Sequence, residues 1–465
     1  MRTEKEFIDE VKKRSKNKIA ARKRKIIAGV SMVAVLVCIL TAAIIYFPIN
    51  NEIKDKSENG TTDQNNISEE NSGIRPLYSV DLMENVIAQV TEGKPVDDSF
   101  IESQLDFYFD LFKASAKYSE DENIFVSPMS VMLALSMTAN GADGETRAEM
   151  EALLGGELTI EELNQYSYAY IKSLPSNDEA KVNIANAIWY ENRFNVEESF
   201  LETNANYYGA SLFRAPFDDK VVDEINNWVK EKTEGLVDRI IERFDGDEVM
   251  ILLNTLFFES QWQNKYTSID VYKGEFESYQ GDTSKVEYMQ SSESLYIEDV
   301  NAKGFVKNYK NSRYSFVALL PNEGVDIYKY IEDFSYEQFL NTMKNKKNES
   351  VFAVIPKFNY DYELMLNEVL KEMGIPTAFS ESLADFSKMG TSPNGNVYIG
   401  EVLHKTNICV DTSGTKAGAV TKVEMVDESA PMYENEVKLN RPFVYMIIDN
   451  ETNLPLFMGA VTELN

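Results

Sequence analysis

The sequence predicts an α+β domain over residues 77–465 that is rich in β-sheet. Strand-like and helix-like stretches follow each other through its middle. The stretch 248–262 is apolar on both faces, which indicates a strand in the centre of a sheet. The chain ends in two buried runs, PFVYMII and LPLFMGAV, that predict a hairpin.

Helices are predicted where apolar residues recur three and four apart, beginning with the stretch from Ile101 to Ala116. Ser127 followed by Pro128 is typical of a helix start, and 131–139 is apolar on nearly all sides, which predicts a buried helix. Asn140 and Gly141 predict its end. Further helices are predicted at 146–154, 196–210, around 222–229 and at 361–373.

Strands are predicted where short apolar or alternating runs are bounded by turn residues. Apart from the central stretch and the closing hairpin, they cover 182–191, 314–321, 351–358 and 397–410.

The charge separates the N-terminus from the rest of the chain. The first 25 residues carry eleven Lys or Arg and four Asp or Glu, a net charge of +7; since the whole chain is −30, residues 26–465 carry −37. An anionic body of this size excludes a nucleic-acid-binding function, which needs a basic surface.

Residues 26–47 form a run of 22 without a charged residue, long enough to cross a bilayer as a signal-anchor helix. The basic segment 1–25 before it predicts a cytoplasmic N-terminus, with a flexible extracellular linker at 48–76 and the domain 77–465 outside the cell membrane. The alternative is a cleaved signal peptide and a secreted domain. The Lys-, Asn- and Ile-rich composition favours a bacterial source of the Gram-positive kind.

Catalytic and metal-binding patterns are missing from the sequence. It has one histidine, His404, and two cysteines, Cys38 and Cys409, and no GxSxG, HExxH or paired CxxC motif. We therefore expect no catalytic residues, metal or cofactor, and we interpret His404 as a buried structural residue.

The stretch from Thr415 to Met425 alternates strictly, with small residues on one side and charged residues on the other. The acidic, Pro-containing segment after it predicts an exposed loop. Two interpretations remain open: an edge strand with a long hairpin loop, or a mobile loop that has the pattern of a strand it has yet to form.

Several motifs together, in order, resemble the serpins, a family of serine protease inhibitors. They cover some 380 residues and comprise NIFVSPMSVMLALSMTANGADGET (123–146), MILLNTLFFESQW (250–262), VEYMQ (286–290), PKFNYDYELMLNEVLKEMGI (356–375), GEVLHKTNICVDTSGTKAGAVT (400–421) and RPFVYMIIDNETNLPLFMGAV (441–461). The resemblance implies a large central β-sheet with additional sheets, about eight or nine helices and an exposed reactive-centre loop.

The resemblance also implies a mechanism. A serine protease, or alternatively a cysteine protease, attacks the loop and forms an acyl-enzyme. The cut loop then inserts into the central sheet as a new strand before deacylation, which is a known example of strand addition to a sheet. The partner would be the protease, and the inhibitor would act as a monomer. The non-inhibitory alternative is a binding or storage protein with the same fold whose loop is cut without insertion. A hydrolase is a further alternative.

The resemblance assigns roles to particular residues. The reactive bond would be Glu428–Ser429, and a longer loop would move it to one of its neighbours. These alternatives are Met425, Val426, Asp427, Ala430 and Met432.

The hinge, the shutter beneath the sheet opening and the breach at the top of the sheet would follow the family's order. The hinge would be Gly414, Thr415, Lys416, Ala417, Gly418, Ala419, Val420 and Thr421; the shutter Ser127, Ser130, Asn254 and His404; and the breach residue Trp262. Lys416 and Gly418 depart from the Glu and Ala of many inhibitory members.

Overall fold

The structure is a computed structural model, and it describes one compact part of the chain. The described residues are 78–84, 86–89, 92–119, 122–175, 177, 179–244, 249–393, 395–415 and 433–464. The predicted segments 1–25, 26–47 and 48–76 lie outside these residues. Within them, the helices are too short or too polar for any one of them to cross a bilayer.

The helices begin where the sequence supplies caps. Asp97 accepts a hydrogen bond from the backbone N–H of Phe100 at 3.1 Å at the start of α1, and Ser127 caps α2, in which every residue is buried. The described helices are α1 (Asp98–Tyr118), α2 (Pro128–Ala139), α3 (Gly144–Gly155), α4 (Ile160–Ser173), α5 (Glu198–Tyr208), α6 (Asp219–Lys232), α7 (Ile327–Asp333), α8 (Tyr336–Lys344) and α9 (Asn367–Glu372).

The strands carry alternating or continuous apolar sequences. In chain order they are β1 (Val80–Asp81), β2 (Ile124–Val126), β3 (Ala180–Glu191), β4 (Asn195–Val196), β5 (Ser211–Ala215), β6 (Met250–Gln261), β7 (Val271–Glu277), β8 (Thr283–Glu293), β9 (Leu295–Glu298), β10 (Ala302–Asn308), β11 (Tyr314–Pro321), β12 (Val351–Pro356), β13 (Phe358–Met365), β14 (Gly390–Thr391), β15 (Leu403–Val410), β16 (Gly414–Thr415), β17 (Asn435–Lys438), β18 (Phe443–Asp449) and β19 (Pro455–Val461).

Three sheets organise the domain. Sheet A has the order β1-β5-β3-β6-β16-β15-β13, sheet B the order β2-β19-β18-β11-β10-β9 and sheet C the order β17-β12-β8-β7; β4 and β14 form a separate pair. Helix α2 lies against β19 and β6, so it packs between sheets A and B. The α+β class and the large central sheet predicted from sequence are confirmed.

Most predicted elements are found where the sequence places them. The apolar stretch predicted to be central is β6, which has β3 on one side and β16 on the other. The closing hairpin is β18 and β19, in which every residue is buried.

Two predictions were wrong at their boundaries. The helix predicted over 361–373 begins only at Asn367, because residues 358–365 alternate between buried and exposed side chains and pair with β15 as an edge strand. The strand predicted over 397–410 begins only at Leu403. Before it, the Val402 backbone N–H donates to the side chain of Asn367 at 2.9 Å, so this segment follows the start of α9 and joins no sheet.

Candidate functional site

The alternating stretch begins at a tight turn between β15 and β16. The carboxylate of Asp411 accepts hydrogen bonds from the backbone N–H groups of Ser413 at 2.7 Å and Gly414 at 3.2 Å. The Asp411 N–H in turn donates to the Gly414 carbonyl at 3.0 Å. This side chain therefore fixes the direction in which the chain leaves β15 and enters β16.

Gly414 lies where the backbones of β16 and β6 are too close for a side chain. A Cβ atom at this position would lie 2.0 Å from the carbonyl oxygen of Ser260 and 2.8 Å from the Cα of Gln261. Both residues belong to β6, and Gly414 pairs with Gln261 in an antiparallel ladder. The glycine lets β16 approach β6 closely enough to pair with it.

Thr415 is the last described residue before the loop, and it already belongs to sheet A. It pairs with Ser260 of β6 on one side and with Val410 of β15 on the other. Its side chain is buried, and its hydroxyl is 2.5 Å from that of Tyr309, whose pKa is raised above its usual value by burial.

Trp262, the predicted breach residue, holds the turn between β15 and β16 by two hydrogen bonds. Its indole N–H donates to the Asp411 carbonyl at 2.8 Å, and its backbone N–H donates to the Ser413 carbonyl at 2.9 Å. Its fully buried ring stacks on Tyr309, with 4.7 Å between centroids. One aromatic pair thus holds both the turn and Thr415.

Strand β16 joins the facing edges of β6 and β15 as far as Thr415. Among the described residues, no ladder pairs β6 directly with β15. A cleft lies between them, lined on the β6 side by Thr255 and Phe257 and on the β15 side by Thr406, Ile408 and Cys409. The Thr255 hydroxyl is buried there and has no hydrogen-bond partner among the described residues. These edges could accept a further strand.

The predicted shutter residues are linked by hydrogen bonds, and Asn254 and His404 each directly precede a residue that lines the cleft. The backbone N–H of Ser127 donates to His404 Nε2 at 3.1 Å, and the Ser127 hydroxyl donates to the Leu456 carbonyl at 2.9 Å. The Ser130 hydroxyl donates to Asn254 Oδ1. The Ser130 N–H also donates to the Ser127 hydroxyl at 3.4 Å, so the four residues form one connected set, although among the described residues no hydrogen bond joins His404 directly to Asn254.

Burial decides the protonation of His404. Its side chain lies in the interior, which lowers its pKa from 6.5 to about 4, so the imidazole is neutral at neutral pH. Its Nε2 accepts a backbone N–H, while the hydroxyl of Ser127 donates elsewhere. This arrangement does not form the nucleophile–base pair that a hydrolase needs.

The far end of the loop is fastened to sheet C. The backbone N–H of Asn435 donates to the Ser350 carbonyl at 3.1 Å, and its side-chain amide donates to Glu349 Oε2 at 2.8 Å. The ring of Tyr433 packs against Phe352, with 5.1 Å between centroids. Both ends of the loop are therefore held by named contacts.

The predicted residues of the loop itself fall outside the described part of the chain. They are the hinge residues Lys416, Ala417, Gly418, Ala419, Val420 and Thr421, the reactive bond Glu428–Ser429 and its alternatives Met425, Val426, Asp427, Ala430 and Met432.

Sequence reasoning missed three residues that position the loop: Asp411, Tyr309 and Glu349. Asp411 could have been found, because an Asp followed by Thr, Ser and Gly is a common turn sequence. Tyr309 and Glu349 make contacts with residues 106 and 86 positions away in the chain. No local pattern predicts such contacts.

The comparisons with known proteins agree with this geometry. The family profile of the serpins, described as serine protease inhibitors, matches residues 102–464. A crystal structure of a thermophilic serpin, tengpin, in its native state superposes with a TM-score of 0.80 at 46% identity and covers 83% of this chain and 100% of that chain. This chain belongs to the serpin family.

Curated relatives extend over most of the domain. An uncharacterised serpin-like protein of Thermococcus kodakarensis is 30% identical over 363 residues, which is 76% of this chain and 83% of the relative. The plasma serine protease inhibitor of Bos taurus is 28% identical over 369 residues, covering 77% of this chain and 89% of the relative.

Proposed function

We propose that this chain is an inhibitory serpin that traps a serine protease, or a cysteine protease, as a covalent acyl-enzyme. The protease nucleophile attacks the carbonyl carbon of Glu428 or of one of the alternative residues between 425 and 432. The peptide bond breaks, the amine of the following residue leaves, and the upstream part of the loop stays bonded to the protease. Insertion of that part into sheet A then precedes hydrolysis of the acyl bond.

One observation carries this proposal: β16 already pairs with both β6 and β15, and the edges of these two strands continue below it along a cleft. A cut loop could extend β16 in the same register. A strand of about ten residues would add roughly ten or more backbone hydrogen bonds, each of about 1 kcal/mol net. The cut form would then be much more stable than the uncut form, which is the driving force that trapping requires.

The first test mixes the protein with a panel of serine and cysteine proteases and examines the products on a denaturing gel. We expect an SDS-stable adduct with at least one of them, and mass spectrometry of the released C-terminal peptide then identifies the reactive bond. If every protease that cuts the loop remains fully active, the inhibitory function is wrong.

A second test separates inhibition from the non-inhibitory alternative. Cutting the loop should raise the melting temperature strongly in the natural protein. Ala417→Arg should abolish that increase and turn the protein into a substrate, because a charged side chain on the side of the small residues would have to enter sheet A after Thr415. Lys416→Arg, at the neighbouring position predicted to face outward, is the matched control and should behave as the natural protein does.

We propose further that residues 26–47 anchor the protein in the cell membrane, with the inhibitory domain outside the cell. The uncharged run and the basic residues before it support this proposal. Membrane fractionation and added protease test it. An anchored domain sediments with membranes and is cut by protease added to intact cells, whereas a cleaved signal peptide would release the domain into the medium.

A further inference from the structure

A groove of about 340 Å³ lies between the two ends of the loop. It is bounded by the residues after β6, by β8 and β10, and by the segment before β12. Its side chains include Gln263 and Asn264 on one side and Asn348 and Glu349 on the other. Its volume lies within the range of small-molecule sites, but its lining is polar where such sites are mostly apolar. A ligand for this groove must therefore be hydrophilic.

Both attachments of the loop border the groove. Gln263 directly follows Trp262, whose backbone N–H donates to the Ser413 carbonyl at 2.9 Å before the loop. Glu349 accepts the side-chain N–H of Asn435 at 2.8 Å after the loop. A molecule in the groove would contact Glu349 of the second attachment and Gln263, the residue next to Trp262 of the first.

An ion pair forms the floor of the groove. Lys307 Nζ lies 2.6 Å from Glu293 Oε1, and the Lys307 side chain is only 1% exposed. Its ammonium group also lies 4.5 Å from the ring centroid of Tyr266 and 5.4 Å from that of Trp262. The positive charge is therefore used in the interior, and it has little surface to offer a ligand.

The groups that remain for a ligand accept more hydrogen bonds than they donate. The two carboxylates, Glu293 and Glu349, only accept, and the amides of Gln263, Asn264 and Asn348 both accept and donate. With one lysine and two carboxylates, the lining has a net charge of −1. The net charge of −37 on residues 26–465 also concentrates cations near the surface.

We propose that this groove binds a small organic cation with several N–H donors, of the guanidinium or polyamine class. Its N–H groups would donate to Glu349 and to the amide oxygens around it. Because the ligand would contact Glu349 and the neighbour of Trp262, it would stabilise the two attachments as they stand in the uncut form. By linkage it would then slow insertion of a cut loop. This consequence rests on the proposed inhibitory function, whereas the binding itself does not.

Isothermal titration calorimetry of the uncut full chain tests the binding, with L-arginine and spermidine as probes. We expect saturable one-to-one binding of at least one probe. Sodium chloride at matched ionic strength and the neutral polyol sorbitol should give none. Equal heats with sodium chloride would show only general screening of an acidic protein, and saturable binding of sorbitol alone would show the wrong ligand class; either result would overturn the proposal.

Glu349→Gln identifies the site. The substituted amide oxygen can still accept from Asn435, but the charge is lost, so affinity should fall about tenfold or more. Glu463→Gln, which removes the charge of an exposed carboxylate that does not line the groove, should leave affinity unchanged. Equal affinities in the two variants would place the cation elsewhere.

Asn348→Arg places a guanidinium group in the groove as part of the protein itself. It tests the site even if Glu349→Gln does not fold. Its guanidinium should occupy the groove and weaken binding of the added probe at least tenfold. Unchanged probe binding in a folded Asn348→Arg protein would contradict the site.

Different results would contradict the proposed ligand site in the groove and the proposed inhibitory function. Binding is measured without protease, so a saturable titration stands even if no protease is ever trapped. If a trapped adduct forms at the same rate with and without a saturating probe, the site binds a ligand but does not control the loop, and the coupling part of the proposal is wrong. If adducts form and neither probe binds, only the groove proposal falls.

Discussion

Sheets A and B are built from the same kinds of residues but differ in how far their neighbouring strands are paired. In sheet B, every residue of β11, β18 and β19 is buried, and each strand from β9 to β2 is paired in an antiparallel ladder with its neighbours. In sheet A, β6 and β15 meet through the two residues of β16. The chain thus joins every strand of sheet B to its neighbour by a ladder, whereas in sheet A it joins β6 to β15 only through a strand of two residues.

The open part of sheet A is protected from other molecules. Unpaired strand edges promote aggregation unless something covers them. Here the segment that follows α6 covers them, since Thr233, Leu236 and Val237 line the cleft together with β6 and β15. Thr415, the last residue of β16, lines the same cleft. The following changes test how far the two sheets differ in rigidity.

The largest loss of stability is expected from Arg313→Met, because Arg313 directly precedes β11 and pairs with the last residue of β18 in sheet B. Arg313 Nη2 donates at 3.0 Å to a carboxylate oxygen of Asp449, which is fully buried. Removing one partner of a buried ion pair leaves the other charge uncompensated and typically costs about 3–5 kcal/mol. Urea unfolding measures this loss as a lower midpoint.

Lys329→Met is the matched control, because it removes a lysine that pairs with Glu332 and Asp333 on the surface of α7. It should cost less than about 1 kcal/mol. Equal losses for Arg313→Met and Lys329→Met would show that sheet B does not depend on its buried ion pair.

The second prediction compares two glycines that meet the same obstacle in the two sheets. A Cβ at Gly304 would lie 2.0 Å from the carbonyl oxygen of Ala318, and a Cβ at Gly414 would lie 2.0 Å from that of Ser260. Gly304 is held between β9 and β11, so Gly304→Ala should cost about 2–3 kcal/mol in unfolding free energy. Gly414 belongs to a strand of only two residues, so relieving the clash would break few ladder pairs, and Gly414→Ala should cost about 1 kcal/mol.

For trapping of a protease, the larger effect is expected from Gly414→Ala and not from Gly304→Ala. Gly414→Ala should lower the yield of the SDS-stable adduct, because β16 would no longer start in register, while Gly304→Ala should leave the yield unchanged at temperatures where it is folded. A normal adduct yield for Gly414→Ala would show that the first pair of β16 with β6 is dispensable for insertion.

The sequence predicted sheet B better than the contacts that hold the loop. The residues of β11, β18 and β19 are continuous apolar runs, and a run buried on both faces can be recognised locally. The boundary at 358–365 was harder, because Tyr362, Leu366 and Val369 also recur at helical spacing. Pairing with β15 decides between the two, and pairing partners are not visible in a local window.

The candidate site could be predicted in part for the same reason. Trp262, Gly414 and His404 were singled out through motifs that resemble a family, and the structure places each of them at the opening of sheet A or beneath it. What Gly414 does there, a close approach to the Ser260 carbonyl, depends on the distance between two strands. A single sequence carries no information on such a distance.

The third prediction concerns how the stability of the protein depends on pH through its only histidine. His404 in β15 has a pKa of about 4 in the folded protein and 6.5 when unfolded, because burial disfavours the charged form. The unfolded chain therefore binds the proton first, and stability falls as the pH decreases from 6.5 towards 4. Between pH 6.5 and pH 5 the loss should be roughly 2 kcal/mol.

His404→Gln should remove most of this dependence, since Gln does not titrate but can accept the Ser127 N–H. Urea unfolding at pH 6.5 and pH 5 measures both proteins. Carboxylates whose pKa values are lowered by their partners, such as Glu287 beside Lys357, act at more acidic pH and affect both proteins alike. The same slope in both would show that His404 is not the group that titrates.

The smallest effect is expected from the surface ion pairs that connect the cover of sheet A to its strands. Lys181 Nζ in β3 lies 3.3 Å from Glu234, just after α6, and 3.4 Å from Glu259 in β6, with its side chain 46% exposed. Because exposed pairs are screened by water, Lys181→Met should lower the unfolding free energy by less than about 1 kcal/mol. Salt should reduce the difference further. Urea unfolding measures this loss as it does that of Arg313→Met. Equal losses in the two variants would mean that the segment covering sheet A is held as firmly as sheet B. The difference between the two sheets would then no longer explain why the proposed insertion occurs in sheet A.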